Sequence, residues 1–349
     1  MPQQQSAIAS TMPMLSVILP NYNHGRYLER ALDALLAQER PADEIIVLDD
    51  GSTDNSREII ARYAAINPSI RPMPNERNIG VIATLTRGLD AARGKYVYFG
   101  AADDFVLPGF FATGLAALEA HPQTGMFCSE MVLVDGNSGR ALGYRPPVRP
   151  RFSAGLVESG QFVSLLRSAD NFLLTGSSLI RRDDAVRARG FDAELSTFAD
   201  AYLVRKVALT SGFYYCPRAF LTWNIFNDSV SRKTAGELDR SKAVFNAIEK
   251  RMTADPAFPQ WYWKIFVRRW RFSACRVAVQ DNPINRIVLT ELGAQNKADR
   301  LFLDWILQVT PGAPTRFILL VWLWLRFRPI SLVKLASTAV ARIFKSGSE

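Results

Sequence analysis

The chain has 349 residues, 48% hydrophobic and 21% charged, with 21 Gly and 19 Pro; these globular proportions exclude collagen-like and disordered chains, and the length allows about two structural units and a large core. Three scattered cysteines (Cys128, Cys216, Cys275) and two histidines (His24, His121) exclude a disulfide framework, a Cys-rich zinc site and a multi-His metal site. The net charge of +9 belongs to residues 261–349, which hold 14 Lys/Arg and 5 Asp/Glu, while residues 1–260 hold 28 of each.

Residues 1–13 have no basic stretch and no long apolar core, so they read as a disordered tail and not as a signal peptide. Residues 15–19 are a short apolar run closed by Pro20, which predicts a buried strand. Leu28, Leu32 and Leu35 share a helical face, and 44–48 is a second strand. Asn55 with Glu58 three residues on predicts a capping box on a helix carrying Ile59, Ile60 and Tyr63. A turn over 75–80 precedes a helix with Val81, Leu85 and Leu89 on one face. Residues 96–99 read as a strand, and Pro108 is placed to open a helix. Strands alternating with helices predict an α/β sheet, mostly parallel. Further on, 139–150 reads as a loop and 172–181 as a strand. A helix is expected to start near Asp200, with Leu203, Val204 and Val207 on one face.

From residue 238 the pattern is helical and rich in tryptophan, and a second unit is placed there. Residues 317–325 are nine consecutive apolar residues between Arg316 and Arg326. Nine helical residues rise about 14 Å, half the hydrocarbon thickness, and no stretch of 18 uncharged apolar residues occurs, so no membrane span is predicted. In the last segment Lys334, Thr338, Arg342 and Lys345 form a polar stripe, with Leu332, Ala336, Ala339, Val340 and Ile343 opposite. Together with Trp322 and Trp324 between flanking arginines, this predicts a monotopic end. Its cations would lie along an anionic membrane surface and its apolar side would enter the headgroup boundary. Nine apolar residues serve no phosphate contact, so no nucleic acid is expected.

Familiar phosphate loops are missing. Gly88, Gly94 and Lys95 miss the P-loop spacing by one residue, Tyr96 replaces its Ser/Thr, and there is no G-x-G-x-x-G. What the chain carries is a carboxylate pair just beyond each of two predicted strands, Asp49-Asp50 and Asp103-Asp104. In parallel α/β sheets ligands bind at the carboxyl ends of strands. Adjacent carboxylates repel, and a hard divalent cation, of the kind that neutralises a nucleotide diphosphate, relieves the repulsion. Either pair alone reads sooner as a turn that caps the next helix. The two together, in register with strand ends, favour one shared crevice.

Pro20-Asn21-Tyr22-Asn23, the run from Leu48 through Asp49-Asp50-Gly51-Ser52-Thr53-Asp54, Asn78-Ile79-Gly80, Gly94-Lys95-Tyr96 and Asp103-Asp104 stand in the order and spacing of family 2 glycosyltransferases. Gly190-Phe191-Asp192, followed by Asp200, resembles the segment that carries that family's base. The resemblance covers roughly residues 14–231. It implies a GT-A fold, a Rossmann-like α/β domain for nucleotide-diphosphate sugars, over 14–237, with a helical C-terminal region over 238–349. It also implies inverting transfer from a UDP- or dTDP-linked sugar to an acceptor hydroxyl. By that resemblance Pro20 and Tyr22 line the nucleobase pocket and Asp50 binds the base through its ring N–H. Asp49 holds the local turn, Asn78 contacts the nucleotide and Asp103 approaches the ribose or sugar. Asp104 holds Mn²⁺ or Mg²⁺ on the diphosphate, and Asp200 is the general base.

Three positions depart from the family pattern. Ala101 stands where an Asp often opens Asp-x-Asp-Asp, and Ala199 stands where Glu often precedes the base. Phe226 stands where many members carry His, so a metal or phosphate contact is either absent or supplied by Asn227 or Asp228. The Q-x-x-R-W signature of processive synthases is absent, which implies transfer of a single sugar. The implied setting is cytoplasmic and peripheral at the inner face of the plasma membrane, with a glycan or lipid-linked acceptor of a bacterial surface polysaccharide. Two other readings use the same residues: a nucleotidyltransferase on a similar scaffold, which would release pyrophosphate, and a non-catalytic member that binds glycan or membrane.

Overall fold

The computed structural model describes residues 14–226, 236–308 and 312–345. The 1–13 tail and the alternative ligands Asn227 and Asp228 lie outside the described residues.

Among the described residues ten strands form one sheet: β1 (Leu15–Asn21), β2 (Glu44–Asp49), β3 (Ile70–Pro72), β4 (Tyr96–Phe99), β5 (Phe105–Val106), β6 (Met126–Asp135), β7 (Ala141–Arg145), β8 (Gly155–Val157), β9 (Ser178–Arg181) and β10 (Phe213–Ile225). Their order is β3-β2-β1-β4-β9-β6-β10-β5, with β7 paired to β6 and β8 to β10. Around them run α1 (Gly25–Leu36), α2 (Ser56–Ile66), α3 (Val81–Ala91), α4 (Phe110–Ala120), α5 (Ser159–Leu166), α6 (Arg182–Arg187) and α7 (Ala199–Ser211). A helical tail follows: α8 (Leu238–Ala254), α9 (Tyr262–Gln280), α10 (Lys297–Gln308), α11 (Ala313–Phe327) and α12 (Leu332–Lys345).

β1 and β2 are buried on both faces, as their unbroken apolar runs require. Alternation sends Val17, Leu19, Ile45 and Val47 to one apolar cluster and Ile18, Ile46 and Leu48 to the other. The second cluster continues without a break from Ile18 to Phe327. The tail helices therefore cover one face of the sheet and do not close a core of their own. Phe198, ahead of α7, meets Trp270 of α9 with ring centroids 4.1 Å apart, one of several aromatic contacts that seal this junction.

Local expectations are corrected in several places. The sheet is mixed: β1, β2, β3 and β4 are parallel, but β9, β5, β7 and β8 all pair antiparallel. Asn55 makes no side-chain cap. Asp54 instead accepts from Ser56 N at 3.0 Å and from Gly25 N at 2.9 Å, fastening the starts of α2 and α1 together. α4 begins after Gly109 in the left-handed conformation (φ 83°), so Pro108 precedes the helix and does not open it. The 139–150 segment contains β7, because the free edge of β6 offers it a ladder. The 172–181 run breaks at a tight turn, Thr175–Ser177, where the Ser178 hydroxyl donates to the Leu174 carbonyl at 2.7 Å.

The largest correction concerns α12. Its polar stripe faces the protein. Thr338 is buried and its Oγ1 accepts from Arg149 N at 3.1 Å. Lys334 Nζ donates to Ser168 Oγ at 2.7 Å, and Arg342 Nη2 donates to Glu130 Oε2 at 3.1 Å and to the Pro146 carbonyl at 2.6 Å. The reason is Glu130, a carboxylate buried on β6 that binds both Arg149 and Arg342. A buried charge needs partners more than the helix needs an apolar contact. The Lys345 side chain lies outside the described residues. Leu332, Val333, Val340 and Ile343 are left exposed. On α11, Leu319, Leu323 and Phe327 are buried while Phe317, Ile318, Val321 and Leu325 are exposed. The tryptophans are not free: Trp322 stacks on Phe302 at 5.4 Å and Trp324 meets Phe272 edge-on at 5.9 Å. Among the described residues no helix is long and apolar enough to cross a membrane.

Candidate active site

The site is built where β1, β2 and β4 end. Asn21 closes β1 directly opposite Asp49 at the end of β2. Asp49 accepts from Asn21 Nδ2 at 3.0 Å, Ser52 N at 3.1 Å and Arg57 Nε at 2.9 Å. Burial by itself would raise this carboxyl, but hydrogen bonds from Ser52, Arg57 and Asn21 outweigh it and hold the group below the usual carboxylate range. Its neighbour Asp50 accepts from Asn75 Nδ2 at 2.7 Å, Ile79 N at 2.8 Å and Gly80 N at 2.9 Å. Two adjacent acids thus hold two different loops, one at 52–57 and one at 75–80. Gly51 makes this possible: its φ is 74°, and a Cβ there would lie 2.7 Å from the backbone of Arg77 and Asn78.

Pro20 is half-buried, whereas Tyr22 is 44% exposed beside Asn23, which takes a left-handed φ of 54°. Asn78 is exposed, and its Oδ1 accepts from Gly80 N at 3.0 Å. Pro20 and Tyr22 thus lie at the end of β1, and Asn78 in the loop that Asp50 holds.

The second acidic pair follows β4. Asn224, near the end of β10, pins it from across the sheet: its backbone N–H donates to Asp104 Oδ1 at 2.8 Å and its side chain donates to the Asp103 carbonyl. Burial pushes the Asp104 carboxyl well above the usual range, and the neighbouring Asp103 charge pushes the same way. Among the described residues Oδ2 of Asp104 has no protein donor. An acid that repels its neighbour and keeps one oxygen free suits a hard cation completed by phosphate oxygens and water. Among the described residues no group of three or more His, Cys, Asp or Glu could hold a metal unaided. Ala101 contributes only a backbone turn, its carbonyl accepting from Asp104 N at 3.3 Å. Phe226 packs against Tyr27 with centroids 5.3 Å apart and covers Gly136, where a Cβ would strike its ring.

Asp200 opens α7, and its Oδ1 accepts from Ala201 N at 2.6 Å. Water reaches the side chain, yet protein surrounds it at longer range, and this crowding raises its carboxyl above the ordinary range while Arg205 pulls the other way. The segment ahead of it is anchored on the end of β4 by Phe191 against Phe99, 4.8 Å between ring centroids. Ser196 just upstream takes a φ of 49°, a strained conformation for a side-chain-bearing residue. Asn224, Asn75 and Asn21 are residues that motif reading did not assign to roles. Asn224 leaves no signal in the sequence, because its partners are 120 residues away.

Residues 16–172 match the profile of Glycosyl transferase family 2. The chain carries a family 2 glycosyltransferase domain. Asp49, Asp50, Asp103 and Asp104 lie inside that segment and Asp200 outside it. Two curated relatives illustrate the match. The uncharacterized glycosyltransferase YibD of Escherichia coli is 43% identical over 99 residues, 28% of each chain. The putative teichuronic acid biosynthesis glycosyltransferase TuaG of Bacillus subtilis is 38% identical over 92 residues, 26% of this chain and 36% of that one. The chain thus matches less than half the length of such relatives. Among solved structures, Staphylococcus aureus TarS with UDP-GlcNAc superposes at a TM-score of 0.60 and 17% identity, covering 80% of both chains. The mannosyltransferase PcManGT of Pyrobaculum calidifontis, with GDP-Man and Mn²⁺, gives 0.56 at 18% identity, covering 96% of this chain and 88% of that one. These likenesses establish the fold, a mixed α/β GT-A sheet with a helical C-terminal region.

Proposed function

We propose that this family 2 protein is an inverting glycosyltransferase moving one sugar from a nucleotide-diphosphate sugar to an acceptor hydroxyl in cell-surface polysaccharide or glycolipid synthesis. The observation that carries the reading is two acidic pairs converging on one strand edge, one shaping loops and the other keeping a free carboxylate oxygen. UDP-GlcNAc in TarS and GDP-Man in PcManGT support a nucleotide-sugar donor, and the teichuronic acid role in TuaG's name supports a surface-glycan product.

In this reading Pro20, Tyr22 and the 75–80 loop held by Asp50 receive the nucleoside, with Asn78 at its rim. Asp103 meets the ribose or sugar. Asp104 would hold Mn²⁺ or Mg²⁺, which supplies Lewis-acid stabilisation of the departing diphosphate. Asp200 takes the acceptor hydroxyl proton as that oxygen bonds to the anomeric carbon. The bond from that carbon to the diphosphate oxygen breaks on the opposite side, and the nucleoside diphosphate leaves. The test is a thermal-shift screen of UDP-, dTDP- and GDP-sugars with and without Mn²⁺. A true donor at 100 times its dissociation constant stabilises the fold by about 2.7 kcal/mol. Asp104→Asn should abolish the Mn²⁺ contribution and cut turnover at least about tenfold, since even outer partners of a metal are worth 10–100-fold. Release of pyrophosphate instead of a nucleoside diphosphate would establish the nucleotidyltransferase reading.

We also propose peripheral membrane association, with a revised geometry. The exposed stripes of α11 and α12 are apolar, and between residues 312 and 345 every charged residue is a cation. An apolar face without carboxylates suits the headgroup boundary of a bilayer. Deleting the tail would open the core, because Leu319, Leu323 and Phe327 are buried. The cleaner test is Phe317→Gln with Val321→Gln and Leu325→Gln. Exposed substitutions of this kind change stability by about 0.5 kcal/mol or less. The triple variant is expected to leave the membrane pellet with its donor binding intact; if it stays in the pellet, this face is not the anchor.

A further inference from the structure

An open groove of about 560 Å³ lies between the 150–157 segment, α5 and the first turn of α12. Lys334 and Arg151 supply its charge, Gln161 and Ser164 its neutral polar groups, and Leu156 and Leu165 an apolar floor. No Asp or Glu lines it. Among the described residues neither cation has a carboxylate partner. Lys334 spends one donor on Ser168 Oγ at 2.7 Å and keeps two. Arg151 donates to the Ser153 carbonyl at 2.9 Å and the Leu156 carbonyl at 2.5 Å, held over Gly155, where a Cβ would press on its guanidinium. Loss of water around Lys334 lowers its pKa, and no nearby acid offsets that loss. Two cations lining one groove that no carboxylate lines suit an anion.

The surroundings say which anion. Phe152, next to Arg151, is 48% exposed, and Leu332 and Val333, next to Lys334, are 61% and 78% exposed. Charge lines the groove, and exposed hydrocarbon lies on the residues next to its two cations in the chain, two of them on the helix whose apolar stripe is outward. The groove also lies apart from the acidic pair that follows β4. β8 beside it pairs with Phe213–Tyr215 at the start of β10, while Asn224 holds the acidic pair near the other end. Nine positions of β10 separate the two, across a stretch whose register is irregular between Tyr215 and Leu221.

We propose that this groove binds the phosphate headgroup of an anionic membrane lipid, with the acyl chains leaving over Phe152, Leu332 and Val333. The inference rests on the peripheral-membrane reading and adds a lipid-selective site to it. The experiment is co-sedimentation of the full chain with phosphatidylcholine vesicles, with and without phosphatidylglycerol, at low salt. The proteins are the wild type, Arg151→Gln, and Arg151→Gln with Lys334→Gln. Arg151→Gln touches no contact of α12, so it separates headgroup binding from detachment of that helix. The expected result is at least a tenfold preference of the wild type for phosphatidylglycerol, lost in both variants, with binding to neutral vesicles and to donor sugar unchanged. A wild type that ignores every vesicle overturns the membrane reading and this inference with it. Variants that keep the preference overturn the groove alone. Tight binding of free glycerol 3-phosphate, lost in Arg151→Gln, with no preference among vesicles, assigns the groove to a soluble phosphate and overturns the lipid.

Discussion

Asp200→Asn is expected to lower sugar transfer by about 10²–10⁴-fold while donor affinity stays within a few fold of wild type. The substitution preserves shape and can still accept from Ala201 N, so α7 keeps its start. What disappears is the proton acceptor. A positioned base of this kind lowers the barrier by roughly 3–5 kcal/mol. The pH profile gives the second signature. A base works when deprotonated, so activity rises with pH through its pKa. Crowding by protein raises the Asp200 carboxyl, so the acidic limb of kcat/KM should lie above the ordinary carboxylate value of about 4. In Asp200→Asn that limb should vanish from the residual activity. Near wild-type turnover in Asp200→Asn would place the base elsewhere.

Asp170→Asn is expected to destabilise the fold by about 3–5 kcal/mol, the range seen when one partner of a buried ion pair is removed. Asp170 is buried and bonded to Arg269 Nη1 at 2.9 Å and the Tyr262 hydroxyl at 2.5 Å, with Arg205 Nε at 3.6 Å. Arg205 also donates to the Tyr262 hydroxyl at 2.8 Å. The network ties α7 of the catalytic sheet to α9 of the helical tail. Burial disfavours the Asp170 charge, but Arg205, Arg269 and the Tyr262 hydrogen bond outweigh it and depress its pKa. A depressed carboxylate contributes stability that is present above its unfolded value of about 3.9 and is lost as pH falls through the folded value. Chemical denaturation should therefore show the full gap between wild type and variant at neutral pH, narrowing only below about pH 4. An unchanged denaturation midpoint at pH 7 would mean the two arginines are satisfied without Asp170.

The strands whose apolar runs need burial on both sides, the acids that follow them, and the helical, cationic end are all legible from the residues alone. Those features are local: a run such as 44–48 reads as a strand in any context that buries it, and an acidic pair after a strand lies at its carboxyl end by geometry alone. The tertiary structure decided what depends on partners distant in the chain. Asp50 faces the 75–80 loop because Asn75, Ile79 and Gly80 present three donors to it, and no spacing rule predicts that closure. Asn224 reaches the 103–104 pair only because β10 returns to the sheet beside β5. The antiparallel strands depend on which edges are left free, which periodicity does not encode. α12 shows the limit most plainly. Its two faces are legible from residues 332–345, but their direction is not. Amphipathicity states that two faces differ; only the buried Glu130, more than two hundred residues earlier, decides that the polar one turns inward.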